Sequence, residues 1–174
     1  MRMIMWNNNQ IKHWMAGFIM VMSISSAQAN WAWAFDGTLI IPPVCQLSHD
    51  DPIKVSFGKV GVRKINGTAF KQPIPFQLNC VGDMTQPWDI SLIFGGTPAG
   101  SGFDNATLRT VTPLNNGKLG IQIQKNGQPQ PLNEPFLINA ASLPSLSAVP
   151  VMRSGSELVG DNFTASGTLT IIFE

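Results

Sequence analysis

Every odd-numbered residue from Phe163 to Phe173 is apolar or glycine, and between them stand Thr164, Ser166, Thr168, Thr170 and Ile172. Side chains alternate across a strand, so this period of two buries one face and leaves the other largely hydroxylated and solvated. A strand this regular, running to the last residues of the sequence, frays unless it docks, and the rest of the chain has to be read for what it docks against.

A second alternation stands near the other end of the sequence. Trp31, Trp33, Phe35, Gly37, Leu39 and Ile41 occupy successive odd positions before Pro42 and Pro43, which have no N–H to give to a ladder. Between the two ends, short strands are expected at Ile53 to Gly58, Phe70 to Cys80, Trp88 to Phe94, Leu119 to Gln124, Pro135 to Ile138 and Ser145 to Met152. Pro73 and Pro75 confine the start of the Phe70 to Cys80 strand to a sheet edge. Asn126-Gly127 predicts a hairpin turn with positive φ at both central residues. Seven or eight strands, separated by turns and with no amphipathic helix, predict an antiparallel β-sandwich.

The first 29 residues look different. Arg2 and Lys12 precede the apolar run Met15 to Met22, and Ala27-Gln28-Ala29 follows as a small-residue cleavage site. This is the pattern of a secretory signal peptide, and the run is too short to span a bilayer, which takes about 20 residues. Removing 29 of the 174 residues leaves 145, enough for one ordinary domain. The exported part keeps nine basic residues against ten acidic ones with no basic block, which argues against a nucleic-acid partner. Cys45 and Cys80 both lie in it, and an oxidising compartment favours a bridge between them. Closing a loop over a separation of 35 residues is worth about 4 kcal/mol in the chain-entropy model.

Chemistry is harder to find. His49 is the one histidine after residue 29, and it sits with Asp50 and Asp51 in a polar turn, a solvated arrangement more than a catalytic or metal-binding one. There is no nucleophile elbow, zinc motif or phosphate loop, so neither an enzyme nor a cofactor is expected. Trp31 and Trp33 invite a sugar-stacking reading. Their spacing instead places them with Phe35 on the packed face of a strand.

Taken in order after a signal peptide, several segments resemble one family, the pilin subunits of chaperone–usher fimbriae, in particular minor subunits of P and type 1 pilus tips. They are Phe35 to Cys45, Leu78-Asn79-Cys80, Leu119 to Ile123 and the alternation that follows Gly160. The resemblance implies an immunoglobulin-like sandwich that lacks its seventh strand, so that a hydrophobic groove stays open beside the last one. It implies that a periplasmic chaperone fills the groove with a strand, and that at the outer-membrane usher the N-terminal extension of a neighbouring pilin subunit replaces it. On this basis residues 30–41 form the donor extension and 42–174 the pilin domain. Trp33, Phe35, Gly37 and Leu39 are expected donor residues, with Gly37 in the small-residue place. Phe163, Ala165, Leu169, Ile171 and Phe173 are expected to line the groove strand, and Cys45 and Cys80 to form the family bridge. Pilins usually carry a penultimate tyrosine; Phe173 keeps the ring and loses the hydroxyl. The expected product is a structural subunit exported through the periplasm to a cell-surface fimbria, minor or adaptor in role. A glycan-binding tip adhesin and a terminator that stops growth at the base are the alternatives. The adhesin would need a separate lectin domain, for which 145 residues leave no room.

Overall fold

The structure is a computed structural model, and it describes residues 33–47, 52–83 and 88–173. The expected signal peptide, Trp31 and the His49 turn lie outside the described residues. The chain divides into two units, Met1–Thr38 and Leu39–Glu174. In the first, the described residues 33–38 form no strand, and Trp33 and Phe35 are exposed.

The second unit is built from strands. In chain order they are β1 (Val44–Leu47), β2 (Gln72–Ile74), β3 (Leu78–Val81), β4 (Ile90–Gly96), β5 (Thr107–Arg109), β6 (Leu119–Lys125), β7 (Gln128–Pro129), β8 (Pro135–Ile138), β9 (Leu146–Met152) and β10 (Gly167–Phe173). One turn of 3-10 helix at Val62–Lys64 is the helical element among the described residues. One sheet runs β10-β4-β8 and a second β2-β9-β6-β5, with β7 added beside β6. All pairings are antiparallel.

A single apolar core joins the two sheets. Leu92 and Phe94 from β4 and Phe136 from β8 meet Leu108, Ile121, Ile123 and Leu146 from the other sheet. Leu92 is wholly buried and Ile123 nearly so. At roughly 1.5–3 kcal/mol per fully buried large apolar side chain, this cluster is the main favourable term in the fold. The register carries the terminal alternation into it: Leu169, Ile171 and Phe173 lie opposite Phe94, Leu92 and Ile90, so the odd face of β10 points inward.

Local chemistry explains the turns. Asn126 (φ 49°) and Gly127 (φ 81°) take the two positive-φ places of the β6–β7 hairpin, as their sequence predicts. The Asn126 side chain also accepts the Ser145 N–H at 2.9 Å, tying the hairpin to the start of β9. β1 and β3 form a separate ladder in which Cys45 lies opposite Cys80, and the two are joined by the disulfide.

Several expected strands come out differently. Among the described residues, 33–43 lie outside every ladder, and Leu39 and Ile41 are exposed as Phe35 is. Trp33 and Phe35, expected on a packed face, are both exposed. Ile53 to Gly58 is likewise in no ladder. The Phe70 to Cys80 strand splits in two, because Pro75 has no N–H to continue the pairing. Its first half, β2, is an edge strand of the five-stranded sheet, and its second half pairs with β1. β10 begins at Gly167 rather than Phe163; ahead of it Thr164 makes an isolated bridge with Val111. β1 and β5 were not expected, the first following directly on Pro43 and the second only three residues long.

Candidate functional site

Strand β10 is the edge of its sheet. Its seven residues pair with β4 on one side, and on the other side they have no strand among the described residues. At about 3.3 Å per residue this leaves an edge of roughly 23 Å with backbone groups open to a partner.

A cavity of about 810 Å³ lies along the first part of that edge, at 167–169, and along the residues leading into it. One wall is residues 163–169, and the other is 52–57 with Leu47. Its floor is the core itself, reached through Ile74, Phe76, Phe94, Leu108, Ile121 and Ile123. A groove whose floor is the hydrophobic core differs from a shallow surface patch. Filling it completes the core, and leaving it empty exposes a flat apolar edge of the kind that aggregates.

The second wall is the segment that reads as a strand and forms none. In Ile53-Lys54-Val55-Ser56-Phe57, Val55 and Phe57 are half-buried and pack on the core, while Lys54 and Ser56 are exposed. The alternation is thus realised in the side chains from Val55 to Phe57, without a ladder on the backbone, while Ile53 is exposed. At one end the walls touch: the Phe57 and Phe163 rings lie 5.8 Å apart, tilted at 41°. Beyond them is a second cavity of about 530 Å³, edged by Lys59, Val60, Asn115, Val159 and Asp161.

The sequence-chosen residues sort as follows. Phe163, Ala165 and Leu169 line the groove; Ile171 packs on the core beside it, and Phe173 is half-buried opposite Ile90. Trp33, Phe35 and Leu39 are 75%, 92% and 96% exposed. Gly37 has open space where a Cβ would stand. Cys45 and Cys80 are bonded.

Sequence reasoning missed the residues that shape the ends of the groove. Gly167 lies opposite Gly96 in the β10–β4 ladder, and a Cβ there would stand 2.5 Å from Phe94 Cε1 and 2.9 Å from the Gly95 carbonyl. Asp161 accepts hydrogen bonds from Thr112 Oγ1 (2.5 Å), the Leu114 N–H (2.6 Å) and the Asn162 N–H (2.8 Å). The Thr112 hydroxyl first, then the Leu114 and Asn162 amides, hold its carboxyl below the ordinary value of 3.8 against the opposing effect of desolvation. Gly167 had a signal of a kind, a glycine inside a strand pattern. Asp161 had none, because Thr112 and Leu114 are distant from it in sequence.

No group of three or more His, Cys, Asp or Glu residues that could hold a metal is present among the described residues, and no helix there is long and apolar enough to cross a membrane. A two-sheet antiparallel sandwich with a cross-strand disulfide and an apolar groove along its terminal strand defines an immunoglobulin-like domain whose conspicuous surface is an edge. The chain belongs to the fimbrial protein family, whose model matches residues 33–174. It is similar to the fimbrial-like protein YfcQ of Escherichia coli strain K12, 34% identical over 164 residues that span 90% of this chain and 98% of that one. Among solved structures it resembles the P pilus adaptor subunit PapF, with a TM-score of 0.52 and 19% identity over 78% of this chain and 98% of that one. It also resembles the P pilus rod subunit PapA, with a TM-score of 0.55 and 16% identity over 82% and 100%. At these identities the structural likeness speaks for the fold alone.

Proposed function

We propose that this chain is a structural, non-enzymatic subunit of a bacterial adhesive fimbria, minor or adaptor in role, whose groove accepts a strand from another protein. A periplasmic chaperone supplies the first strand, and at the outer-membrane usher the N-terminal extension of a neighbouring subunit replaces it. Residues 1–29 direct export, 30–41 are donated to the next subunit, and 42–174 form the pilin domain.

The observation that carries this reading is the open edge of β10 above an apolar floor. Strand addition pairs the backbone groups of an edge while alternate side chains enter pockets. An inserted strand lies between β10 and residues 53–57 and gives each of them the ladder it lacks. The exposed odd-numbered side chains at 33–41 have the matching period, with Gly37 where the least room is needed. Three or four apolar side chains buried at roughly 1.5–3 kcal/mol each make such a junction long-lived. The open groove favours an acceptor over a terminator, which would need it closed.

The test is uptake of a synthetic peptide of residues 33–41 by the purified chain, read by native mass and by melting. At 100-fold excess over its dissociation constant the peptide stabilises the chain by about 2.7 kcal/mol. For a domain of this size that raises the melting temperature by roughly 8 °C. A peptide carrying Phe35→Asp and Leu39→Asp is expected to do nothing. Equal effects of the two peptides, or none from either, would overturn the reading.

A further inference from the structure

The two walls of the groove are held in different ways. Asn115 is 3% exposed, and its side-chain amide copies a backbone pair: Nδ2 donates to the Val159 carbonyl at 2.9 Å and Oδ1 accepts the Val159 N–H at 2.9 Å. Two residues on, Asp161 takes the Thr112 hydroxyl and the Leu114 N–H. Thr164 and Val111 then exchange both backbone bonds, at 2.8 and 3.0 Å. The segment 159–164, which borders the second cavity and runs into the groove wall 163–169, is thus fastened at three points to the 111–115 loop, which joins β5 to β6. The facing wall, 52–60, takes part in no ladder among the described residues, and Val55 and Phe57 seat it by apolar packing.

We propose that Asn115 and Asp161 are positioning residues for strand uptake, fixing one wall of the groove so that the opposite wall, 52–60, is the one that yields to an entering strand. The inference rests on the strand-acceptor reading and adds to it which wall moves and what holds the other. Hydrogen bonds are directional and fail within fractions of an ångström, whereas apolar packing tolerates sliding. A strand that wedges the walls apart therefore displaces Val55 and Phe57 before it breaks the fastened side. Phe163 is one residue past the Asn162 amide that caps Asp161, and its ring meets Phe57 at the junction of the two cavities. With Asn115 or Asp161 truncated, Phe163 loses its fixed place and the groove end loses its width.

The test combines peptide kinetics with amide exchange on the full chain, using the peptide of residues 33–41 as the probe. Asn115→Ala and Asp161→Ala are expected to release bound peptide at least tenfold faster than the unmodified chain, while Asp161→Asn, which keeps an acceptor oxygen for Thr112 and Leu114, recovers most of the loss. Rescue by the isosteric variant separates positioning from a general loss of stability. Should Asn115→Ala fail to fold, amide exchange in the unmodified chain decides: the Val159 and Thr164 amides are protected before the peptide is added, and 53–59 gain protection on its uptake. Unaltered release in both alanine variants, or the reverse order of protection, overturns the inference. Failure of the unmodified chain to take the peptide at all overturns the acceptor reading and this one together.

Discussion

Gly167→Ala is a small change with a calculable cost. The backbone at Gly167 is not left-handed, so conformational preference favours alanine, by about 0.4–1 kcal/mol through the unfolded state. Sterics oppose it: the new Cβ would meet Phe94 Cε1 at 2.5 Å and the Gly95 oxygen at 2.9 Å. The oxygen belongs to the β4 backbone and cannot rotate aside, and the Phe94 ring is held in the core. Overpacking of this kind costs typically 1–3 kcal/mol, so sterics win and the net loss is about 1–2 kcal/mol. In a domain of this size that lowers the melting temperature by roughly 3–8 °C. Because Phe94 also lines the groove, the displaced ring narrows it, and a bound strand is retained for less time. Thermal melting of the unoccupied chain and the half-life of a bound peptide measure the two effects. Adding Phe94→Leu removes the ring atoms in collision but leaves the Gly95 oxygen, so part of the loss should return. A melting temperature within about 1 °C of the parent, with peptide retention unchanged, would refute the reasoning.

Other expectations follow from the bridge, the Asp161 carboxylate and the last strand. Replacing Cys45 and Cys80 together with alanine lowers the unfolding free energy by about 2–5 kcal/mol, and a guanidinium midpoint equal to that of the parent would contradict it. Asp161 has a depressed pKa, so its contribution to stability is complete above its unfolded value of 3.8 and is lost as pH falls through the lower folded value. Acid melts should therefore show the advantage of the parent over Asp161→Asn constant above about pH 5 and vanishing in the acid range below 3.8; a difference independent of pH would count against this role. Phe173→Asp places a charge opposite Ile90 at the end of β10 and should lower the periplasmic yield, a quantity read directly from cell fractions.

How much of this was visible in the residues varies with the range of the interaction. The Asn126-Gly127 turn was legible because its chemistry is local, and the inward face of β10 because the period of two survives any pairing. Phe70 to Cys80 was misjudged as one strand, since alternation continues across Pro75 while the ladder does not. β5 was missed because Thr107-Leu108-Arg109 is too short to show a period. Ile53 to Phe57 was legible as a strand and is not paired as one, which is the informative disagreement: Val55 and Phe57 follow the pattern, and the backbone takes part in no ladder among the described residues. The groove and a wall at 163–173 were expected from the family resemblance, and the facing wall at 52–57 was not. That Asn115 and Asp161 fasten the segment before β10 to residues more than forty positions away depends on topology rather than on any local pattern.

The central claim is that the open edge of β10 is completed by a strand from another protein. It is tested most directly by exporting the chain from its full-length precursor in cells that carry the fimbrial assembly proteins, purifying it from the periplasm, and mapping what comes with it. The account predicts a one-to-one complex with a chaperone cross-linked along residues 163–173 and 53–57. A partnerless monomer that is stable with its groove empty, or cross-links confined to another face, would contradict it.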